Sequence, residues 1–268
     1  MQLRNYSPRS ILTYSKLLGK VEEDLEFSLE TISVQQLKDY LHQRIINEKI
    51  SVSTINQSIS AFKILQTDIL GRDWTQFRIK RPRREKRLPV ILSLVEVERL
   101  IAVTQNIKHR ALLALAYSAG LRRQEIQQIK PIDIDSARMQ VRIVQGKGKK
   151  DRQSLLSVKA LDLLRTYYKY QRPKTFLFES QGKEGVHLSE ATLNAIVKKN
   201  AIKAGIKKKV SFHTLRHCFA THLLEKGVNI RLIQEFMGHV SIKTTSVYLH
   251  LANVQPASIS SPLDSMDI

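Results

Sequence analysis

Residues 78–89, which read RIKRPRREKRLP, constrain the fold of this chain more than any other stretch. The segment contains seven Lys and Arg residues and two prolines. It has few apolar side chains for a core, and its prolines interrupt the backbone hydrogen bonding of a helix or strand. It therefore predicts a boundary between two folding units. We expect an N-terminal domain over residues 1–80, a basic linker over 81–89 and a second domain over 90–268.

The charge of the chain makes nucleic acid the leading partner. It has 44 Lys and Arg against 24 Asp and Glu, a net charge of +20 and a pI near 10.1. Such values are expected of proteins that neutralise phosphates. Residues 1–87 carry 16 minus 10 charges, or +6, and the remainder carries 28 minus 14, or +14. Both parts are basic, so a single basic tail does not explain the charge.

Hydrophobicity and cysteine content indicate a folded protein of a reducing compartment. Hydrophobic residues make up 42% of the chain, enough for a core. The longest apolar run, residues 111–117, is far shorter than the roughly 20 residues of a membrane helix. The single cysteine, Cys218, excludes an internal disulfide framework and a multi-thiolate zinc site. We expect a cytoplasmic protein with no membrane partner, no metal and no cofactor.

Helical periodicity dominates on both sides of the basic run. Ser7 before Pro8, and the sequence SVQQ at 33–36, are typical helix starts in the N-terminal part. In the second part, SLVE at 93–96 opens a helix and residues 107–118 form a mostly buried one. Helical periodicity returns at 157 and again over 189–204. The predicted apolar faces comprise Val34, Leu37, Leu41 and Ile45; Ile55, Ile59, Phe62, Leu65 and Ile69; Leu94, Val97, Leu100 and Ile101; and Leu161, Leu164 and Tyr168.

One stretch has the period of a strand instead. Met139, Val141 and Ile143 alternate with neighbours such as Gln140 and Arg142, and GKGKKD separates them from RQSLL at 152–156. This pattern predicts a β-hairpin with a basic tip. The expected fold class is therefore mainly α with a small β-sheet (α+β).

Three separated segments supply cationic donors of one chemical type. Arg122 lies in GLRRQEI, Lys147 in the hairpin tip, and His213 and Arg216 one helical turn apart in HTLRH. Two guanidiniums can grip the non-bridging oxygens of a phosphate, and the phenol of Tyr248 is a candidate nucleophile. Taken singly, each residue also has a structural explanation, as a helix cap, a turn residue or a packed ring.

Taken together and in this order, the residues closely resemble the catalytic set of the tyrosine recombinases, also called phage integrases. The resemblance covers residues 88–251 and departs only at Phe236 and Met237, where two leucines are common, and at Cys218, where a serine is common. The N-terminal bundle resembles the helical, SAM-like core-binding domain of that family. The matching residues are Arg122 in G-L-R-x-x-E, Lys147 in G-K-G-x-K, His213 and Arg216 in H-x-L-R-H, His239 in G-H, and Tyr248 nine residues later.

The resemblance implies a site-specific DNA recombinase or integrase that needs neither metal nor ATP. Tyr248 would form a 3′-phosphotyrosyl link and free a 5′-hydroxyl, and strands would exchange through a four-way junction between double-stranded DNA sites. It implies a homo-tetramer on two sites and leaves open whether a second recombinase takes part. Lys147 would protonate the departing oxygen, and His213 would take the tyrosine proton. Glu125 either orients a catalytic cation or only caps its helix.

Several further positions are predicted to contact DNA or a neighbouring protomer. The cations of the basic run are expected to lie along phosphates, the alternative being a solvated spacer. The tail, residues 252–268, is expected either to contact a neighbour or to be a disordered end. His217, His222 and His250 are expected to be structural or surface residues. The predicted DNA-binding residues are Lys80, Arg81, Arg83, Arg84, Lys86, Arg87, Lys149 and Lys150.

Two rival functions share these features. A type IB-like topoisomerase uses the same chemistry on one strand, and a DNA-binding protein of the same fold would lack catalysis. The size of the chain and the style of its motifs favour a recombinase over the topoisomerase, and the filled catalytic positions favour an enzyme over the binding protein. Within that class, the compact chain resembles Xer recombinases, whereas SSPLD in the tail resembles integron and transposon integrases.

Overall fold

The computed structural model describes residues 6–74, 79, 81–82, 88–144, 151–182 and 184–252. The chain divides into two compact units, Met1–Arg87 and Leu88–Ile268. Each has its own buried apolar core and is described by itself. Within the described ranges, no helix is long and apolar enough to cross a membrane.

In its described residues the first unit is a bundle of three helices, as the sequence predicts. They are α1 (Pro8–Leu25), α2 (Val34–Glu48) and α3 (Val52–Ile64). A serine side chain caps each N-terminus by accepting a hydrogen bond from a backbone N–H three residues on, which satisfies a group that the helix leaves unpaired. The predicted capping box at Ser33 and Gln36 is present.

Two positions predicted on the apolar faces of this bundle are exposed. The backbone continues from α3 into a π-helical turn, Leu65–Ile69, whose wider hydrogen-bonding step shifts the side-chain phase. Ile69 is consequently 61% exposed, whereas Ile59 and Phe62 are buried. Ile45, in the last turns of α2, is 41% exposed.

The second unit is mostly helical. Its helix over residues 107–118 has the predicted bounds and is buried along most of its length because other helices pack against it. Leu94, at the first position of its helix, is 52% exposed, and Tyr168 is 46% exposed while Tyr167 takes the buried position. The helices are α4 (Leu94–Ala102), α5 (Ile107–Ser118), α6 (Arg123–Gln128), α7 (Val158–Gln171), α8 (Glu190–Lys203), α9 (Phe212–Glu225), α10 (Ile230–Met237) and α11 (Ile242–Thr245), followed by the 3₁₀ turn Ser246–His250.

A small antiparallel sheet accompanies these helices and confirms the predicted fold class. Its strands are β1 (Ile134–Asp135), β2 (Gln140–Ile143) and β3 (Arg152–Leu155), in that order. The two-residue β1 is too short to show a period in the sequence. In the β2–β3 register, Ile143 pairs with Arg152, so both face the same side of the sheet.

Gly120 forms the turn between α5 and α6. It has a φ of +58°, and a Cβ there would lie 2.3 Å from Cδ1 of Phe219. Only glycine meets both conditions without strain. The turn ends two residues later at Arg122, the N-cap of α6. It therefore fixes both the start of α6 and the position of Arg122.

Buried polar contacts hold Leu92 to the core. Its N–H donates to Sγ of Cys218 over 3.2 Å, and Nε2 of His222 donates to its carbonyl over 2.9 Å. Nδ1 of His222 therefore accepts from the Tyr117 hydroxyl at 2.8 Å. Burial raises the pKa of Cys218 to about 11, so the thiol stays protonated. His222 has the structural role expected for it.

Candidate active site

Glu125, in the first turn of α6, lies at the centre of a cluster of arginines. Its side chain is only 6% exposed. Oε1 accepts from Nη1 of Arg122 at 2.7 Å and from Nη1 of Arg152 at 2.6 Å, and Oε2 accepts from Nη2 of Arg152 at 2.7 Å. Nη1 of Arg216 lies 3.8 Å from Oε2. Oε2 also caps the helix by accepting from the Arg122 N–H, so Glu125 makes both of the contacts weighed for it.

The protonation state of Glu125 follows from these donors. Burial alone would raise the pKa of the carboxyl group. Hydrogen bonds and charge from Arg152, with the backbone and charge of Arg122, outweigh burial and hold the pKa at about 2. Glu125 is therefore ionised at neutral pH. Three guanidiniums surround this single carboxylate, which leaves an excess of positive charge.

The same three arginines bind the C-terminal end of α10. Nε of Arg152 donates to the carbonyl of Phe236 at 2.9 Å, Nη2 of Arg216 to that of Met237, and Nη2 of Arg122 to that of Gly238 at 2.7 Å. The last carbonyls of a helix have no partner within it and form the negative end of its dipole. Three consecutive carbonyls thus fix the positions of three cations.

Arg216 is the most enclosed of the three, with a side chain 5% exposed. Its Nη1 also donates to the Gly120 carbonyl at 2.6 Å. Burial, followed by the charge of Arg122, lowers the pKa of Arg216, although a guanidinium remains charged at neutral pH. Because burial and a neighbouring cation disfavour its charged form, Arg216 is stabilised when an anion binds beside it.

His239 follows this turn and lies against Arg216. Its Nε2 is 3.1 Å from Nη2 of Arg216, and because a guanidinium only donates, Nε2 accepts here. Nδ1 then carries the proton and donates to Oγ1 of Thr245 at 2.9 Å. The structure places His239 beside Arg216, with Nε2 as an acceptor in the free chain.

Tyr248 is buried in the 3₁₀ turn and contacts His217, a histidine that was expected to be a structural or surface residue. Its hydroxyl lies 2.9 Å from Nδ1 of His217. Burial raises the pKa of Tyr248 despite opposing charge from Arg216 and Arg122. Burial, with His213 and Arg216, lowers the pKa of His217 to about 4. At neutral pH the pair is a protonated phenol against a neutral imidazole.

His213 lies in the first turn of α9 and is exposed. Partial loss of water contact, followed by the charges of Arg123, Arg216 and Arg122, lowers its pKa. Its imidazole is therefore neutral at neutral pH and free of a proton on one nitrogen. The structure thus brings five predicted site residues into one region of the second unit: Arg122, His213, Arg216, His239 and Tyr248.

Of the remaining predicted residues, Arg81 lies in the described part of the chain and the others lie outside it. Nη1 of Arg81 donates to the Asn56 carbonyl at 3.3 Å and to Oγ of Ser60 at 3.0 Å, so part of this guanidinium is bound to α3. The tail from 253 onward lies outside the described residues. So do Lys80, Arg83, Arg84, Lys86, Arg87, Lys147, Lys149 and Lys150.

Arg152 and His217 are not among the residues predicted from the sequence, although each has a signal there. Strand alternation puts Arg152 on the same face as Ser154, which is buried, and a cation facing inward needs an anionic partner. His217 is four residues after His213, which places both on one face of α9.

We predict that Glu125→Gln destabilises the second unit by about 3 to 5 kcal/mol near pH 7, because it leaves buried cations without their counter-charge. The folded pKa of Glu125 lies below its unfolded value, so its contribution is present above the unfolded pKa and is lost as pH falls towards about 2. Urea unfolding at pH 7 and pH 3.5 measures both effects.

The control is Glu184→Gln, which changes a carboxylate that is 65% exposed and paired with the exposed Lys174. It should alter stability by less than about 1 kcal/mol. Equal losses in the two variants, or a Glu125→Gln loss that does not shrink at low pH, would contradict this account of the cluster.

Comparison with known proteins matches both parts of the chain to one family. Residues 91–254 match the phage integrase family, and residues 1–76 match the phage integrase N-terminal SAM-like domain. A putative integrase/recombinase of Sinorhizobium fredii is 36% identical over 265 residues, spanning 98% of this chain and 86% of the relative. The tyrosine recombinase XerD of Staphylococcus saprophyticus is 32% identical, spanning 94% and 91%.

Solved structures show the same fold. The XerH site-specific recombinase, solved bound to a palindromic difH substrate as a post-cleavage complex, has a TM-score of 0.75 and 25% identity to this chain, with 98% of this chain and 82% of that chain covered. The family match extends over most of the chain, and the relatives cover nearly all of it. The chain belongs to the phage integrase family.

Proposed function

We propose that the chain is a site-specific DNA recombinase that cuts and rejoins DNA through Tyr248, with the arginine cluster around Glu125 as the phosphate site. The observation that carries the proposal is the charge of that cluster. Arg122, Arg152 and Arg216 contribute three positive charges and Glu125 one negative charge, an excess of two. A phosphodiester carries one negative charge and its pentavalent transition state carries two, so charge balance is best in the transition state.

Arg122 and Arg216 are the two arginines that would grip the phosphate. Arg122 is the more exposed, with a side chain 18% exposed, and His239 lies beside Arg216. Both guanidiniums donate to main-chain carbonyls in the free chain. A phosphate would accept from their remaining N–H groups, because a guanidinium has five. His239 would join them once Nε2 carries a proton.

Tyr248 attacks phosphorus as the nucleophile, and its oxygen forms the bond as the 5′ oxygen departs. Because burial raises its pKa, the phenol must lose its proton during attack. His213 is the proposed acceptor, since its imidazole is neutral and exposed. His217 holds the phenol in the free chain, and Tyr248 must leave this partner to reach a phosphate.

Lys147 is the proposed general acid for the departing 5′ oxygen. An alkoxide is a poor leaving group, because its conjugate acid has a pKa near the roughly 15.7 of water. Cations supply the charge at phosphorus. The phosphotyrosine keeps the energy of the ester, so the freed 5′-hydroxyl of a partner strand can reseal the backbone.

Double-stranded DNA is the proposed substrate, bound by both domains and by the basic linker over residues 81–89. The net charge of +20 and the DNA-bound state of the related XerH support this part of the proposal. Exchange between two duplexes requires four protomers on two sites, arranged head to tail, with the tail after Ala252 as the proposed contact between neighbours. The proposed location of this reaction is the cytoplasm, a reducing compartment that fits the single cysteine, Cys218.

A relaxing topoisomerase and an inactive binding protein are the rival functions. Relatives named as recombinases over nearly the whole chain favour recombination over relaxation. The filled catalytic positions favour an active enzyme over a binding protein, because DNA binding alone does not need the nucleophile Tyr248.

We predict that Tyr248→Phe binds DNA with wild-type affinity but forms no covalent adduct, because only the nucleophilic oxygen is removed. The substrate is a duplex selected by the protein from a random pool, with a nick near the cleavage point so that cleaved product is trapped. Denaturing gel electrophoresis counts the adduct, and fluorescence anisotropy measures affinity.

The matched control is Tyr170→Phe, which removes the same hydroxyl from a side chain that is 71% exposed on α7. It should form adduct at the wild-type rate. Adduct from Tyr248→Phe, together with its loss in Tyr170→Phe, would place the nucleophile elsewhere. Binding without adduct in the wild type would favour the inactive binding protein.

We predict that Lys147→Ala cleaves ordinary DNA about 100-fold to 10,000-fold more slowly than wild type, the range for a lost general acid. On a 5′-bridging phosphorothiolate it should approach the wild-type rate, since a thiolate, with a thiol pKa of about 8.5, leaves without an acid. Arg122→Ala and Arg216→Ala should stay slow on both substrates. A phosphorothiolate that restores an arginine variant but not Lys147→Ala would refute the assignment.

A further inference from the structure

Arg152 is the least explained charge in the cluster. Its side chain is 10% exposed, against 18% for Arg122. Each of its three nitrogens donates to the protein: Nη1 and Nη2 form a two-pronged contact with Glu125, and Nε binds the Phe236 carbonyl. Every nitrogen of Arg152 therefore already donates to a protein oxygen. Arg152 is for this reason poorly placed to bind a phosphate directly.

The position of Arg152 in the fold connects three parts of the site. It is the first residue of β3 and follows directly the hairpin tip that contains Lys147. It binds Glu125, which in turn orients Arg122. Through Phe236 it reaches the end of α10, where the next two carbonyls bind Arg216 and Arg122.

Gly238 shows how closely this end of α10 fits against Arg152. It has a φ of +57°, and a Cβ there would lie 2.7 Å from Cδ and 3.0 Å from Nε of Arg152. A side chain at 238 would displace the arginine. His239 follows at once, and its carbonyl accepts from Nε2 of Gln234 at 2.9 Å, so the turn that Arg152 grips also sets the position of His239.

We propose that Arg152 is a positioning residue for DNA cleavage: it holds Glu125 and the α10 C-terminal turn so that Arg122, Arg216 and His239 face one phosphate. The proposal rests on the proposed recombinase function. A planar fork is required, because a lysine ammonium keeps the charge but cannot bind both carboxylate oxygens and the Phe236 carbonyl. Arg152 contributes through geometry, and its charge alone is not sufficient.

The test measures single-turnover adduct formation on the nicked duplex by wild type and Arg152→Lys, with protein in excess. We expect the rate at saturating protein to fall about 100-fold, the cost of misplacing catalytic groups by about 1 Å. The protein concentration for half-maximal rate should change by less than about 3-fold, since ground-state DNA binding is retained. A 5′-bridging phosphorothiolate should not restore the rate, because the defect lies at the non-bridging oxygens.

A second pair of variants tests the same contact without changing Arg152. Gly238→Ala introduces a left-handed alanine and the clash with Arg152, whereas Gly227→Ala introduces only the left-handed alanine, at a φ of +78° with no atom within 4 Å. Gly238→Ala should form adduct at least about 10-fold more slowly than Gly227→Ala. This comparison decides the matter if Arg152→Lys fails to fold.

Three outcomes would overturn the proposal. The first is a rate for Arg152→Lys within about 3-fold of wild type. The second is recovery of that variant on the phosphorothiolate, which would mean that Arg152 serves only the general acid of the hairpin. The third is equal rates for the two glycine variants. Failure of the proposed function itself looks different, because wild type would then form no adduct at all.

Discussion

A buried carboxylate must be paired with positive charge, and Glu125 meets this requirement with more cations than it needs. Removing Glu125 from water is costly, and the two-pronged contact from Arg152 and the contact from Arg122 compensate for that cost. The cations in turn would repel one another without it. The consecutive carbonyls of Phe236, Met237 and Gly238 also stabilise the cations, because each accepts a hydrogen bond from one guanidinium. The geometry of the site depends on these contacts of the three arginines with Glu125 and with the three carbonyls.

The arrangement explains why elements far apart in sequence meet at one point. Arg122 begins α6, Arg152 begins β3, and Arg216 lies in α9, and the C-terminal end of α10 receives all three. Two glycines with positive φ make the approach possible, one before Arg122 and one before His239. The excess positive charge is then available to a phosphate whose charge grows during reaction. Stability and function use the same contacts here.

Much of this was predictable from the sequence, and the remainder was not for physical reasons. Helix starts such as Ser33 and the buried helix α5 were predicted correctly because caps and periodicity are local. Ile69 was placed wrongly because a π turn changes the period without a sequence signal. The contacts of Arg152 with Glu125 and Phe236 join three separate segments, and His217 meets Tyr248 across 31 positions. Such pairings depend on tertiary packing, which a local pattern does not contain.

The central claim, that Glu125 and Arg152 are one coupled unit at the core of the site, is tested most directly by a double-mutant cycle. Urea unfolding would be measured for wild type, Glu125→Gln, Arg152→Met and the double variant at pH 7. The account predicts a coupling free energy of about 1 to 3 kcal/mol, with the double variant less destabilised than the sum of the single variants. Losses that add to within about 0.5 kcal/mol would contradict it.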